Sequence, residues 1–182
     1  KKFYLNRVLR LFPAYYFISI ITLFFYLYLS LGENVVFFDT FKQINVFGKI
    51  YLIISNIFIL GQDLAFFMGI KDGAIEFLSN YTDSEIIIYE GHISHISWTL
   101  SLEMMFYLIA PFILKNKKLI IYLLSLSILL RILLIYNGIG LTGGFNYRFF
   151  PLELALFLLG ALSHQIMKPY FEKVFDKNFD IL

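Results

Sequence analysis

The sequence predicts an all-α fold, a polytopic transmembrane helix bundle with about four crossings and one re-entrant or broken apolar segment. Composition supports this prediction, because 59% of the 182 residues are hydrophobic, only 15% are charged and the mean hydropathy is +0.75. Soluble domains contain about 45–50% apolar and about 25% charged residues. The chain also holds several apolar runs near the length of about 20 residues that a helix needs to cross a bilayer. We therefore treat residues 1–182 as one membrane domain.

The expected crossings are the apolar runs with few or no charges. There are four such runs: Leu11–Leu31, Ser97–Leu114, Leu119–Tyr136 and Phe149–Met167. Pro13 fits the first turn of the first helix, where a missing N–H costs little. A fifth run, Ile50–Ile70, is interrupted by Gly61-Gln62-Asp63 and does not form one continuous apolar helix.

Lysine and arginine near the ends of these runs predict their orientation. Basic clusters precede the first run, fill the loop between the second and third, and follow the last: Lys1, Lys2, Arg7 and Arg10; Lys115, Lys117 and Lys118; Lys168, Lys173 and Lys177. All three clusters lie on the cytoplasmic side if Ile50–Ile70 enters the membrane and returns. A full crossing by that segment would place the middle cluster outside. Irregular backbone at membrane depth is tolerated where protein or water surrounds it, so we expect a re-entrant segment.

Composition also argues against several functional classes. The chain has no cysteine, so it can form neither disulfides nor thiolate sites. A net charge of +2 does not suggest a nucleic-acid partner. His92 and His95 share an E-G-H-x-x-H stretch, but Gly91 and its loop context do not favour a preorganised metal site, and no metal is expected. Abundant Ile, Phe, Lys and Asn are typical of AT-rich bacterial genes, which predicts a bacterial cytoplasmic membrane protein.

Glu103 lies in an apolar run, among Leu and Met residues. An acidic residue at the centre of a membrane helix costs about 2.5–3.5 kcal/mol, so Glu103 should face the bundle interior and be hydrogen-bonded or paired. Thr99 and Tyr107, at i−4 and i+4, lie on the same helix face and could donate hydrogen bonds to it. Two interpretations stay open at this point: a functional carboxylate, or a structural ion pair with Arg131 or Arg148.

Other charged and polar residues also suggest a lined cavity. The residues expected to line it are Asp63, Ser101, Tyr107, Arg131 and Arg148. Arg7 and Arg10 share one helix face at i, i+3, and their planar guanidinium groups match phosphate geometry. The alternative for this pair is a simple positive-inside anchor. Trp98 could likewise be an interfacial anchor without a catalytic role.

Two motifs in this order resemble the membrane-bound acyltransferase 3 family. The first is Arg7-x-x-Arg10-Leu-Phe-Pro13. The second is Trp98-Thr-Leu-Ser-Leu-Glu103-x-x-Phe106-Tyr107-x-x-x-Pro111, with Thr99 where the family usually has serine. A later stretch, Tyr147-Arg148-Phe-Phe-Pro151 leading to Gly160, also looks like a family span. The resemblance extends over nearly the whole chain.

The resemblance implies transfer of an acyl group, most often acetyl, from cytoplasmic acetyl-CoA or another acyl-CoA to a hydroxyl of an extracytoplasmic carbohydrate. It implies donor binding by Arg7 and Arg10 and catalytic roles for Trp98 and Glu103, with no tightly bound cofactor. The charge-based topology puts the two motifs on opposite faces of the membrane, matching the two substrates.

The catalytic base that the resemblance implies is a histidine on a helix upstream of residue 1. A sugar hydroxyl needs such a base to attack a thioester, and His92, His95 and His164 do not match its family position. The family also has about ten crossings, so we expect further helices upstream and downstream of this partial domain, and a fragment that is inactive alone.

Two other functions remain open from sequence. A transporter would use Asp63, Glu103, Arg131 and Arg148 along a substrate pathway with the broken segment at its centre. A non-catalytic membrane scaffold would use the same charges in structural pairs.

Overall fold

The structure, a computed structural model, describes residues 2–71, 74–141 and 143–179, so Lys1 of the first basic cluster lies outside it. The described residues are mainly helical, as predicted. Their six α-helices are α1 (Lys2–Leu29), α2 (Val36–Gln43), α3 (Val46–Phe58), α4 (Trp98–Ile113), α5 (Lys117–Tyr136) and α6 (Phe150–Phe179). Three strands and four short 3-10 segments connect α3 to α4 and α5 to α6.

Helix α1 begins earlier than the apolar pattern predicts, at Lys2 instead of Leu11. Lysine and arginine are good helix formers, so the basic residues continue the helix although they end the apolar run. The prediction that Pro13 lies in the first turn is therefore wrong, because Pro13 is inside the helix. Phe17 and Phe24 are each 68% exposed, as expected for a helix that faces lipid.

The predicted break in Ile50–Ile70 is present. Helix α3 ends at Phe58, the next residue Ile59 has the left-handed φ of 66°, and Gly61 follows with a φ of 81°. This end of α3 lies beside the middle of α1, since the hydroxyls of Tyr15 and Tyr16 donate to the carbonyl oxygens of Asn56 and Ile57 at 2.8 and 2.6 Å. A 3-10 segment, Gln62–Phe67, then leads the chain away from this point.

A small antiparallel sheet follows the break, and it departs from the all-α prediction. Its strands are β1 (Met68–Lys71), β2 (Ala74–Phe77) and β3 (Ile86–Ile87), in the order β2-β1-β3. Gly69 pairs with both Glu76 and Ile87, and a Cβ at Gly69 would collide with the side chains of Ser84 and Leu78. Strands of two to four residues are too short to show a period-two pattern in sequence.

Helices α4, α5 and α6 pack together around an apolar cluster that contains Phe106, Ile120 and Leu158. Phe106 stacks on Phe157 with ring centroids 4.7 Å apart. The Ser127 hydroxyl donates to the carbonyl oxygen of Pro151 at 2.6 Å, which ties α5 to the first turn of α6.

Hydrogen bonds between the helices fix their relative directions. The Tyr4 hydroxyl donates to the carbonyl oxygen of Leu108 at 3.1 Å, so α1 begins beside the second half of α4. Gln165 donates to the carbonyl oxygen of Leu114 at 3.0 Å, so α4 and α6 run parallel. The start of α1, the α4–α5 loop and the second half of α6 therefore share one end of the bundle. We call this the basic end, because the described residues of the three basic clusters lie in or next to these segments.

Among the described residues, three segments are long and apolar enough to cross a membrane: Lys2–Leu29, Lys117–Tyr136 and Gly143–Phe171. Helix α4 has 16 residues and is about 24 Å long at 1.5 Å per residue, which is short of a full crossing. The predicted count of four crossings is therefore not confirmed, while the helical membrane-protein class is supported.

Candidate functional site

Arg7, Tyr107 and Glu103 meet between α1 and α4. The Tyr107 hydroxyl donates to Glu103 Oε1 one helical turn away, as the i, i+4 spacing predicts. The Arg7 guanidinium carbon lies 4.7 Å from the centroid of the Tyr107 ring and 5.3 Å from that of Phe3. Such cation–π contacts contribute about 0.5–2 kcal/mol, depending on their exposure. All three residues are half-buried, so a substrate could still reach them.

Arg10 lies one turn further along α1, at the edge of a cavity of about 430 Å³. The cavity wall is mainly apolar. Its lining residues are Arg10, Leu11, Ala14, Tyr15, Ile18, Ser94, Ile96, Ser97, Thr99 and Leu100. We call it the α1–α4 cavity. It combines an exposed guanidinium with an apolar wall, an arrangement that suits a ligand with a charged part and an apolar part.

The two motifs therefore converge inside the bundle, a contact that the expectation of opposite faces did not include. Arg7 contacts a ring that hydrogen-bonds Glu103, and Arg10 shares a cavity with residues next to Trp98. The physical reason is that α1 already begins at Lys2, so the part of the helix that carries both arginines extends along α4. Because α1 is antiparallel to α4, its first half then packs against the second motif.

The structural ion pair considered for Glu103 is also not found. Arg131 donates to Glu153 Oε1 at 2.7 Å in a salt bridge between α5 and α6. Arg148 lies among aromatic rings. The Thr99 hydroxyl donates to the carbonyl oxygen of Ile96 at 3.0 Å, so of the two hydrogen-bond donors expected for Glu103 only Tyr107 is seen.

Trp98 belongs to a different group from Glu103, although sequence assigned both to catalysis. Its ring lies 5.5 Å from the Tyr147 ring and 6.2 Å from the Phe66 ring, and 5.4 Å from the Arg148 guanidinium carbon. A second cavity of about 310 Å³ lies beside this group; we call it the α4–α6 hollow. It is lined by Trp98, Thr99, Leu102, Tyr147, Glu153, Leu156 and Phe157. Thr99 thus lines both cavities.

Asp63 and Ser101 link the broken segment to α4, but they do not line either cavity. The Ser101 hydroxyl donates to Asp63 Oδ1 at 2.6 Å and accepts from the backbone N–H of Gly61 at 2.9 Å. Asp63 is 1% exposed and Ser101 0% exposed. Their hydrogen bonds therefore hold the reversal of the chain against the helix that carries Glu103.

A larger buried polar network surrounds this link, and sequence reasoning missed most of its members. Gln62 donates to the Tyr15 hydroxyl at 3.1 Å and accepts from the Ser97 hydroxyl. Asn56 donates to the carbonyl oxygen of Gly91 at 3.1 Å and accepts from the backbone N–H of Ile93 at 2.9 Å. The available signal was a run of polar residues, Ser55, Asn56 and Gln62, within an otherwise apolar segment.

His92 and His95 lie in different environments and do not share a binding site in this structure. His92 is buried, with Nε2 3.0 Å from the Ser55 hydroxyl oxygen, whereas His95 is exposed. Burial lowers the pKa of His92 to about 3, and His95 nearby adds to the effect. Within the described ranges, no three His, Cys, Asp or Glu side chains form a group that could hold a metal ion.

The lowered pKa of His92 predicts how stability depends on pH. The unfolded chain binds a proton near pH 6.5 and the folded chain only near pH 3, so stability falls as the pH drops through this window. Substituting His92→Gln removes this proton uptake. We expect the stability advantage of the native protein over this variant to shrink by up to about 1.4 kcal/mol per pH unit. Thermal unfolding in detergent between about pH 7.5 and about pH 4.5 measures it. A constant difference across this range would contradict the prediction.

Comparisons with known proteins found no match: no family model matches this chain, and no curated protein or solved structure is significantly similar to it. The resemblance to the acyltransferase 3 family therefore rests on the two sequence motifs alone.

Proposed function

We propose that this chain is part of a membrane acyltransferase that moves an acyl group, most often acetyl, from an acyl-CoA-type donor to a carbohydrate hydroxyl. The observation that carries the proposal is the convergence of Arg7, Tyr107 and Glu103 beside the α1–α4 cavity. The Arg7 guanidinium would bind the donor and the Glu103 carboxylate would take part in the reaction. Their closeness suits a transfer in which donor and acceptor must meet.

The arginines are the proposed donor site. Arg7 and Arg10 lie in the first half of α1, near the basic end, which the positive-inside rule assigns to the cytoplasm. Guanidinium groups bind phosphate oxygens through paired hydrogen bonds. A CoA-type donor carries phosphates and ends in an acyl thioester, so its phosphates would bind the arginines while its acyl end enters the apolar α1–α4 cavity.

Glu103 is the proposed polar centre of the reaction. In the transfer, the acceptor hydroxyl oxygen bonds to the acyl carbon, the carbon–sulfur bond breaks, and the hydroxyl proton passes to a general base. The family resemblance implies that this base is a histidine. Glu103, held by Tyr107, would orient that base and stabilise its positive charge after it takes the proton.

The acceptor would arrive from the end of the bundle opposite the basic end, where the α4–α6 hollow lies. Thr99 lines both this hollow and the α1–α4 cavity, so the two substrates would occupy adjoining spaces. Helix α4 would be a fourth membrane-embedded element beside the three long segments. The protein would lie in the bacterial cytoplasmic membrane and modify surface carbohydrate.

A transporter would need its charged side chains along one pathway. Here Asp63 hydrogen-bonds Ser101, Arg131 pairs with Glu153, and Glu103 hydrogen-bonds Tyr107, in three separate contacts. This separation favours the enzyme over the transporter.

The O-acetyl content of surface polysaccharide tests the proposal in cells that make the full-length protein. We expect Arg10→Ala and Glu103→Gln to lower it at least about ten-fold, because each removes one side of the transfer. Lys42→Gln, a remote charge change in an exposed ion pair with Asp39, is the control and should leave it unchanged. Equal acetylation in all variants at matched membrane levels would contradict the site. If deleting the gene also changed nothing, the acyltransferase function would be excluded.

A further inference from the structure

Arg148 is enclosed by four aromatic rings, which we call the Arg148 cage. Its guanidinium carbon lies 4.0 Å from the Phe66 centroid, 4.6 Å from Tyr147, 5.4 Å from Trp98 and 5.6 Å from Tyr81. The guanidinium donates to the hydroxyl of Tyr147 at 2.8 Å and more weakly to that of Tyr81 at 3.4 Å. Arg148 lies in the segment just before α6. Three of the rings, those of Phe66, Tyr81 and Trp98, come from other parts of the chain, and the fourth belongs to its neighbour Tyr147.

The guanidinium of Arg148 forms no ion pair with a carboxylate of the described residues. Both of its hydrogen-bond acceptors are phenol hydroxyls. The carboxylate of Glu153, five residues further along the chain, is bound by Arg131 at 2.7 Å. Arg148 Nε is buried and has no acceptor among the described residues. Cation–π contacts offset only part of the cost of desolvating a guanidinium, so this charge is available to an anionic ligand.

The cage adjoins a space that could hold such a ligand. Trp98 and Tyr147 belong both to the cage and to the wall of the α4–α6 hollow. Arg148 is only partly buried, so an acidic group in or near the hollow could approach it. Aromatic faces are also suitable surfaces for the apolar C–H faces of sugar rings. The hollow is also lined by Thr99, which borders the proposed donor cavity as well.

We propose that the cage and the hollow form the acceptor subsite, and that the acceptor is an acidic glycan. Its carboxylate or phosphate would bind the Arg148 guanidinium while a neighbouring sugar ring lies against Trp98 or Tyr147. Calling the bound glycan the acceptor rests on the proposed function. Binding of the glycan itself requires neither an acyl donor nor turnover. It can therefore fail while acetyl transfer is observed, and it can succeed while transfer is absent.

Trp98 provides a direct measurement, because it is the only tryptophan in the 182 residues. The protein is placed in nanodiscs of phosphatidylcholine, whose zwitterionic headgroups do not add net negative charge. Tryptophan emission is then followed during titration with trigalacturonic acid, glucose 6-phosphate and a neutral galactose trisaccharide. We expect a saturable change with an acidic probe and at least about ten-fold weaker binding of the neutral one. The acidic probe that binds more tightly identifies the preferred group.

Substitutions and salt provide the controls. Arg148→Gln should weaken binding of the acidic probe at least about ten-fold, whereas Lys42→Gln removes a positive charge elsewhere and should not. If Arg148→Gln does not fold, the salt dependence of the native protein tests the proposal instead. Raising NaCl from about 50 mM to about 500 mM should weaken binding of the acidic probe and leave binding of the neutral probe unchanged. Equal affinity for acidic and neutral probes would overturn the proposal. So would no binding of either acidic probe, or equal binding of inorganic phosphate.

Discussion

Replacing Glu103 with Gln is expected to lower the rate of acetyl transfer about 100-fold or more, with little loss of folded protein. The amide keeps the size of the carboxyl group and can still accept from the Tyr107 hydroxyl. It cannot carry the negative charge that would stabilise a protonated base beside it. The initial rate per amount of protein, measured in membrane vesicles with saturating acetyl-CoA, gives this value.

Tyr107→Phe is the graded companion to this variant. It removes the hydroxyl that donates to Glu103 but keeps the ring under Arg7, so we expect a smaller loss of about ten-fold. A Glu103→Gln protein that transfers acetyl at the native rate would show that the carboxylate has only a structural role. A larger loss in Tyr107→Phe than in Glu103→Gln would contradict the assigned order of their roles.

Replacing Ser101 with Ala is expected to cause a large loss of stability, about 2–4 kcal/mol in the free energy of unfolding. The change removes the donor to Asp63 and the acceptor of the Gly61 N–H, both in a buried region. A buried carboxyl group without its hydrogen bond pays the full desolvation cost. Because these contacts hold the broken segment against α4, local order of that segment should decrease as well.

Thr99→Ala is the matched control, two residues away on the same helix. Thr99 is exposed, and its hydroxyl donates only to the carbonyl oxygen of Ile96 in the preceding turn. We expect a cost below about 1 kcal/mol for this variant. Thermal unfolding followed by the helical circular dichroism signal in detergent compares the two. Equal shifts of the midpoint would show that the Ser101 contacts contribute little.

The existence of the long helices could be predicted because their apolar runs are visible in the hydropathy of the sequence. Helix α5 was expected at Leu119–Tyr136 and is found at Lys117–Tyr136. Its earlier start is marked by Asn116, which accepts from the backbone N–H groups of Lys118 and Leu119. The start of α1 was missed for a related reason, because charged residues end an apolar run without ending a helix.

Contacts that depend on packing could not be predicted in this way. The hydrogen bond from Tyr107 to Glu103 could be predicted, because it follows from i, i+4 spacing within one helix. The contact of Arg7 with Tyr107 depends on how two helices align, and the charge-based topology did not include it. Arg148 was considered as a partner of Glu103, yet its environment of rings comes from residues as distant in sequence as Phe66 and Tyr81. The short sheet likewise pairs segments whose strands are too brief to recognise.

In the function that we propose, a donor bound near the basic end passes its acyl group to a carbohydrate on the other side of the bundle. Membrane vesicles that expose their cytoplasmic face, contain the full-length protein and enclose the cell's own surface glycan test it most directly. Acetyl-CoA labelled in the acetyl group is added outside, and label in the purified glycan is measured. We predict label with the native protein and almost none with Glu103→Gln at the same protein level. No label with the native protein, or equal label with both, would contradict the account.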